Sequence, residues 1–328
     1  MKEADSWPTL DVVIAVYNEE EILPLLCAAL SDTFSEANLR AHRIKSVRYL
    51  MVDDGSTDRS AEIICAQVGA GLPAELYRLS RNFGHQNAVS AGLDQASADI
   101  IAVMDADLQD PPEIIYEMVE KWREGYDVAY GKRRRRKENI IKRMGYWLFY
   151  RMLAAMSEID IPLDSGDFCL LDRRVLEAMR QLPEKLRFVR GLRAWVGFRQ
   201  VAVPYERPSR PAGRPKYTMR NLYNLATDGI ASSSIRPLRA AQVVSFVFGA
   251  ASVLLLLWFL ASVVTGQPGS VAPVFLLLFA VLVMGNAVLA FCIYVVGAYL
   301  GRTYLEIKGR PPYLIREIVR TREGDHRQ

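Results

Sequence analysis

The stretch VMDADLQDPPE, residues 103 to 113, sets Asp105 and Asp107 two residues apart directly after the apolar run Ile100 to Met104. In extended backbone, positions i and i+2 point to the same side, so the two carboxylates are expected on one face. Without a counter-charge each raises the pKa of the other, and the pairing is favourable mainly when a cation joins them. A hard divalent ion, Mg²⁺ or Mn²⁺, suits such oxygen ligands. Mg²⁺ in particular is typically held by one or two carboxylates plus substrate phosphates. Asp105 and Asp107 are therefore candidate metal ligands, and a diphosphate-bearing substrate is the expected partner. Pro111 and Pro112 fit the first turn of a following helix, where a missing N–H is harmless.

The elements that must position these residues are legible in the first half of the chain. Leu10 to Val16, Val47 to Val52, Glu75 to Leu79, Ile100 to Met104 and Val128 to Tyr130 read as strands. Between them Glu19 to Ser31, Ser60 to Val68, Gln86 to Gln95 and Pro112 to Glu124 carry helical apolar spacing. This alternation implies a mostly parallel α/β sheet with right-handed connections. Ligands of such sheets sit beyond the carboxyl ends of the strands. Four of those ends are polar: Tyr17-Asn18-Glu19, Asp53-Asp54-Gly55-Ser56, Arg81-Asn82-Phe83-Gly84-His85 and the stretch quoted above. One polar end is commonly just a turn; four on one edge predict a site. His85 is expected to shape that site by hydrogen bonding rather than to bind metal.

The chain has 328 residues, 51% hydrophobic and 24% charged, enough for a sizeable α/β domain and a further part. From Ala240 to Leu300 no charged residue occurs. Crossing a bilayer core takes about 20 residues at about 1.5 Å each, so about Gln242 to Val264 and about Val271 to Leu300 are expected to span. Arg236 and Arg239 precede the first, and Arg302, Lys308 and Arg310 follow the second. By the positive-inside rule both ends face the cytoplasm, and the protein is expected at the plasma (inner) membrane. Cys27, Cys65, Cys169 and Cys292 show no paired spacing, which argues against disulfides and a thiolate zinc site. The expected organisation is a catalytic domain over 1–216, an amphipathic juxtamembrane segment over 217–239, two spans within 240–301 and a cytoplasmic tail over 302–328.

Taken together, VVIAVYNEEE, VDDGSTD, RNFGHQNAVSAGL, MDADLQDPPE and DSGDFCLLDR resemble the family 2 glycosyltransferases that move a sugar from a nucleotide to polyprenyl phosphate. These include dolichyl-phosphate mannose synthases and bacterial undecaprenyl-phosphate glucosyltransferases of the O-antigen-modifying type, and the two spans match the bacterial branch. The resemblance implies a GT-A fold and transfer with inversion. It implies Tyr17 and Glu19 beside the nucleoside and Asp54 near the base. Asp105 and Asp107 fall around the diphosphate-bound metal, Gln109 close to the sugar, and Asp164 beside donor sugar and acceptor. UDP-glucose is the favoured donor by analogy, with GDP-mannose or a modified UDP-pentose as alternatives.

A lipid phosphate monoester has a second pKa of about 6 and is already largely a dianion at neutral pH, so it attacks without a strong base. Cations should hold it. The basic run Lys132 to Lys137, followed by Lys142 and Arg143 beside Trp147, Phe149 and Tyr150, is expected at lipid headgroups. Arg133, Arg136 and Arg143 are the candidates for the acceptor phosphate, and no nucleic-acid partner is expected. In the loop RPSRPAGRPKY, Pro215 stands where the family has serine in Gly-x-Ser-Lys-Tyr. Arg214 and Lys216 remain partners for the diphosphate. Gly249, Gly285 and Gly297 would permit close packing of spans, as in an oligomer. A processive synthase would carry Gln-x-x-Arg-Trp, whereas Gly191 stands at that glutamine. A non-catalytic membrane-anchored nucleotide binder would have lost the metal ligands. A dinucleotide dehydrogenase would need Gly-x-Gly-x-x-Gly after the first strand, which is lacking.

Overall fold

The computed structural model describes residues 7–133, 165–185, 187–208, 236–264 and 271–320. The chain divides into two compact units, Met1–Tyr150 with Ile159–Leu222 and Pro311–Gln328, and Arg151–Glu158 with Tyr223–Arg310.

In the first unit β1 (Thr9–Val16), β2 (Ser46–Asp53), β3 (Ala74–Leu79) and β4 (Ile100–Asp105) alternate with helices. These are α1 (Leu23–Thr33), α2 (Glu36–Ala41), α3 (Ser60–Gly69) and α4 (His85–Gln95). There follow α5 (Ile114–Arg123), β5 (Val128–Arg133), β6 (Ser165–Asp172), α6 (Arg173–Arg180), α7 (Val189–Trp195) and β7 (Gln200–Tyr205). An eighth strand, β8 (Ile315–Arg320), completes a sheet of order β7-β5-β6-β4-β1-β2-β3-β8.

β1 pairs in parallel with both β2 and β4, and β2 with β3. Consecutive strands therefore spread outward from β1 on one side while β4 lies on the other. A sheet whose strand order reverses between two parallel neighbours opens a crevice there, and in this sheet the crevice lies between the carboxyl ends of β1 and β4. β6 and β8 run antiparallel to β4 and β3. The register aligns Ala15 with Asp105 and Val16 with Asp53, which brings three strand ends level.

The central strands are apolar on both faces because helices cover both. Val12, Ile14 and Val16 enter one core with Leu23, Leu26, Ile64 and Ile115. Val13, Leu50 and Val103 enter the other with Ala88, Val89, Leu176 and Leu192. Gly92 is required here, because a Cβ would come within 2.3 Å of Val13 Cγ1 and close off the approach of α4 to the sheet.

The expected strands are found within a residue or two, except that β5 runs on to Arg133. One helical bound differs by more than two residues. α1 starts at Leu23 rather than Glu19, with Pro24 in its first turn, so Glu19 to Ile22 belong to the strand-end loop. The segment read as a C-terminal tail contains β8, whose Glu317 to Arg320 pair with Glu75 to Arg78.

In the second unit α8 (Arg236–Val264) and α9 (Val271–Ile307) contain the apolar stretches Leu238–Phe259 and Leu277–Ile307, each only 6% buried. Core helices of a soluble protein would be mostly covered, whereas Phe246 is 72% exposed and Leu254 67%. Both helices are long and apolar enough to cross a membrane. They pack on each other where Gly285 meets the Phe248 ring and Ser245 Oγ lies 3.2 Å from Cys292 Sγ. Gly249 and Gly297 have no neighbour within 4 Å of their Cβ positions.

Candidate active site

A cleft of about 590 Å³ opens at the β1/β4 switch point, lined by Tyr17, Asn18, Glu19, Asp54, Asn82, Gly84, His85, Asp105 and Asp107 among others. All four polar strand ends contribute to it, and its volume is of the size that takes a small organic ligand.

The loops around the cleft are stitched to one another. Asn18 N donates to Ser56 Oγ at 2.9 Å, Thr57 N to Asn18 Oδ1 at 2.8 Å, and Glu19 N to Ser60 Oγ at 2.8 Å. Asn18 holds this corner in the left-handed region at φ 50°, which asparagine tolerates better than most residues. Asp54, buried at the end of β2, accepts from Phe83 N at 2.7 Å and Gly84 N at 2.9 Å. Burial raises its pKa, and these two backbone donors oppose that. Gly55, at φ +69°, lets the Arg81-Asn82 backbone pass within 2.4 Å of where a Cβ would stand.

Asp105 is the last residue of β4, whereas Asp107 sits in the turn beyond it, so the two do not share extended backbone as expected. Leu108, at φ 54°, completes the turn, a conformation that costs an L-residue about 1–2 kcal/mol and is found where surrounding structure enforces it. The turn nevertheless brings both carboxylates to the cleft wall.

Nor is the pair without counter-charge. His85 Nε2 lies 3.6 Å from Asp105 Oδ1, and Arg207 Nη2 lies 3.9 Å from Asp105 Oδ2 and 3.7 Å from Asp107 Oδ2. Burial, with the charges of Asp110, Asp167 and Asp107, still raises the Asp105 pKa against the opposing effect of His85. A carboxylate whose charge is that unfavourable gains from a cation. Among the described residues no group of three His, Cys, Asp or Glu is arranged to hold a metal alone. Two hard oxygen donors with the other positions left to phosphate and water fit a Mg²⁺ or Mn²⁺ ion shared with a diphosphate.

Behind Asp105 lies a charged network missed from the sequence. Asp167, buried on β6, binds Arg190 Nε at 2.7 Å and Nη2 at 3.2 Å, Gln86 Nε2 at 3.0 Å and His85 Nε2 at 3.2 Å. Burial would raise the Asp167 pKa, but Arg190 and His85 together hold it well below the usual carboxylate range. Burial alone would lower that of His85, yet its hydrogen bond to Asp167 and the charges of Asp105 and Asp167 push it up to about 9. His85 Nε2 thus stands between two carboxylates, 3.2 Å from Asp167 Oδ2 and 3.6 Å from Asp105 Oδ1. Asp167 stands in the quoted DSGDFCLLDR and Arg190 directly before Gly191, and nothing local in either stretch shows that the two meet.

The structure brings Tyr17, Glu19, Asp54, Asp105 and Asp107 to one cleft. Gln109 lies beside it, its N bonding Asp107 Oδ1 at 3.1 Å and its Nε2 bonding Pro208 O at 3.3 Å. Asp164, Arg136, Arg143, Arg214, Lys216 and the Arg133 side chain lie outside the described residues.

The family "Glycosyl transferase family 2" matches residues 11–180, more than half of the chain, and includes every strand end that lines the cleft. The chain belongs to this family. It is 41% identical over 313 residues to an uncharacterized glycosyltransferase, YkcC, of Bacillus subtilis (strain 168), covering 93% of each chain. It is 36% identical over 313 residues to the SfII prophage-derived bactoprenol glucosyl transferase of Shigella flexneri, covering 95% of this chain and 98% of that one. Among solved structures, the glucosyl-3-phosphoglycerate synthase from Mycobacterium tuberculosis aligns over 70% of this chain and 79% of its own. The TM-score is 0.47 and the identity 18%, a likeness too loose to carry argument. The fold of this family 2 glycosyltransferase is a GT-A-like, mostly parallel mixed sheet, with two apolar helices preceding its last strand in the chain.

Proposed function

We propose that this glycosyltransferase moves a sugar from a nucleotide donor, UDP-glucose first among them, to polyprenyl phosphate at the cytoplasmic face of the membrane. The observation that carries the reading is the meeting of Asp105 and Asp107 with Tyr17, Glu19 and Asp54 in one cleft. Relatives covered over almost their whole length are named bactoprenol glucosyl transferases, and the two uncovered apolar helices suit a lipid acceptor.

An acceptor phosphate oxygen, already anionic, attacks C1 of the sugar as the C1–oxygen bond to the nucleoside diphosphate breaks and its electron pair leaves with the diphosphate. Attack from the opposite face inverts C1, and no proton need be removed. The rate then rests on alignment and on stabilising the departing charge. A divalent cation held by Asp105 and Asp107 would supply much of that stabilisation. Asp54 shapes the nucleoside end by pinning Phe83 and Gly84, and Tyr17 and Glu19 close its other wall. His85, fixed by Asp167 and Arg190, orients Asp105. The resemblance in sequence would assign Gln109 to the sugar, Arg214 and Lys216 to the diphosphate, Asp164 to the region between sugar and acceptor, and Arg133, Arg136 and Arg143 to the acceptor phosphate.

β8 pairs with β3, so the chain that leaves through α8 returns after α9 to the sheet it left. Two crossings satisfy this and one does not. With Arg236 and Arg239 before the pair and Arg302, Lys308 and Arg310 after it, the sheet lies in the cytoplasm.

Purified protein incubated with undecaprenyl phosphate, Mg²⁺ and a panel of labelled nucleotide sugars tests the reading. Labelled lipid should form fastest from UDP-glucose. Formation from another donor alone would move the sugar assignment, and formation from none would reject the function.

A further inference from the structure

The side chain of Arg207 is placed by its neighbours and held by them through charge, without a hydrogen bond among the described residues. Two residues before it, the Tyr205 hydroxyl donates to Asp110 Oδ1; one residue after it, Pro208 O accepts from Gln109 Nε2 at 3.3 Å. Both partners belong to the loop that follows β4, so the chain leaving β7 is tied down on either side of Arg207 and its guanidinium is carried over Asp105, Asp107 and Asp110. Yet the approaches are 3.9, 3.7 and 3.9 Å, outside hydrogen-bond range, and its buried Nε has no hydrogen-bond partner among the described residues. Arg190 shows what a latched arginine looks like here, with two bonds to one carboxylate at 2.7 and 3.2 Å. A buried donor left unbonded is unfavourable, so Arg207 is held by charge alone and would gain from an oxygen offered to it.

The Asp105 and Asp107 oxygens nearest Arg207 belong to the carboxylates that a divalent ion would occupy. We propose that Arg207 is an exchangeable counter-ion: it neutralises the Asp105–Asp107 pair until a metal-bound diphosphate arrives, yields the carboxylates to the cation and turns its guanidinium to the diphosphate. This rests on the metal and nucleotide reading above. It makes cation and nucleotide bind cooperatively, because each removes a cost met by the other.

The test is Mn²⁺ binding by the full-length protein in detergent micelles, followed by electron paramagnetic resonance with and without UDP. Arg207→Gln and Arg207→Met should each bind Mn²⁺ alone at least about fivefold more tightly than the wild type, and UDP should tighten Mn²⁺ binding correspondingly less. Arg207→Lys, which keeps the charge, should stay near the wild type. If the wild type binds Mn²⁺ with UDP and both neutral variants match it in the absence of UDP, the counter-ion role is wrong and the metal reading stands. If the wild type binds Mn²⁺ neither alone nor with UDP, both fall.

Discussion

At the scale of single residues, the site is a balance of four carboxylates, Asp105, Asp107, Asp110 and Asp167, against His85, Arg190 and Arg207. Replacing Asp105 or Asp107 by alanine should cut sugar transfer at least about a hundredfold, measured as labelled lipid per minute, since the stabilisation of the leaving group goes with it. The Asp167–Arg190 pair behaves differently. Removing one partner of a buried ion pair strands the other charge and costs about 3–5 kcal/mol; Arg190 is part-exposed, so the lower end applies. Asp167→Asn and Arg190→Gln should each destabilise the fold in urea unfolding, and the double variant by less than the sum. The Asp105–Asp107 pair on the cleft wall was legible because its two-residue spacing after an apolar run is local. Asp167 was not, because its meaning lies in partners 82 residues before it (His85) and 23 after it (Arg190), contacts that no local spacing reveals. The expectation of a shared strand for Asp105 and Asp107 failed for a related reason, as the bend at Leu108 carries no glycine to announce it.

At the scale of elements, the strand-end loops are positioned by close backbone approach and by caps. Gly55→Ala should destabilise the protein by about 2 kcal/mol or more, read from thermal or urea unfolding, because the left-handed φ and the Arg81-Asn82 backbone both oppose a Cβ. Asp172 caps α6, accepting from Arg174 N at 2.8 Å and from Trp122 Nε1 at 2.8 Å. Burial would raise its pKa, but these donors and the Arg174 charge together hold it below the ordinary aspartate value. Its contribution is therefore fully present above the ordinary carboxylate range and lost as pH falls through its own lower value. Asp172→Asn should cost about 1 kcal/mol near pH 7 and progressively less in acid. The parallel strands could be read because each is a short, mostly apolar and largely buried run, interrupted only by single charges such as Asp11, Arg48 and Arg78. β7 escaped because Pro204 argues against a strand, although β7 lies on the sheet edge where proline is tolerated. β8 escaped because it follows the apolar helices and is mostly exposed and charged, so only its pairing with β3 defines it.

At the scale of the whole molecule, the architecture sends the chain through two apolar helices and back into the sheet it left, so the α/β unit and the apolar helix pair are covalently joined at both ends of the pair. Tyr313 on the returning segment donates to Asp94 Oδ2 at 2.8 Å, fastening that segment to the C-terminal end of α4, where Arg187 also bonds Asp94 Oδ1 at 3.0 Å. Protease added to sealed inside-out vesicles should digest the catalytic unit, and protease added to right-side-out spheroplasts should leave it whole; the opposite pattern would invert the topology. The central claim is that Asp105 and Asp107 hold a divalent ion that holds a sugar nucleotide. The most direct measurement is transfer of labelled sugar to undecaprenyl phosphate before chelation, after exhaustive treatment with EDTA, and after Mg²⁺ or Mn²⁺ is restored. The account predicts loss of transfer on chelation and recovery on restoration in the wild type, with no recovery in Asp105→Ala or Asp107→Ala. Undiminished transfer by the chelated enzyme would contradict it.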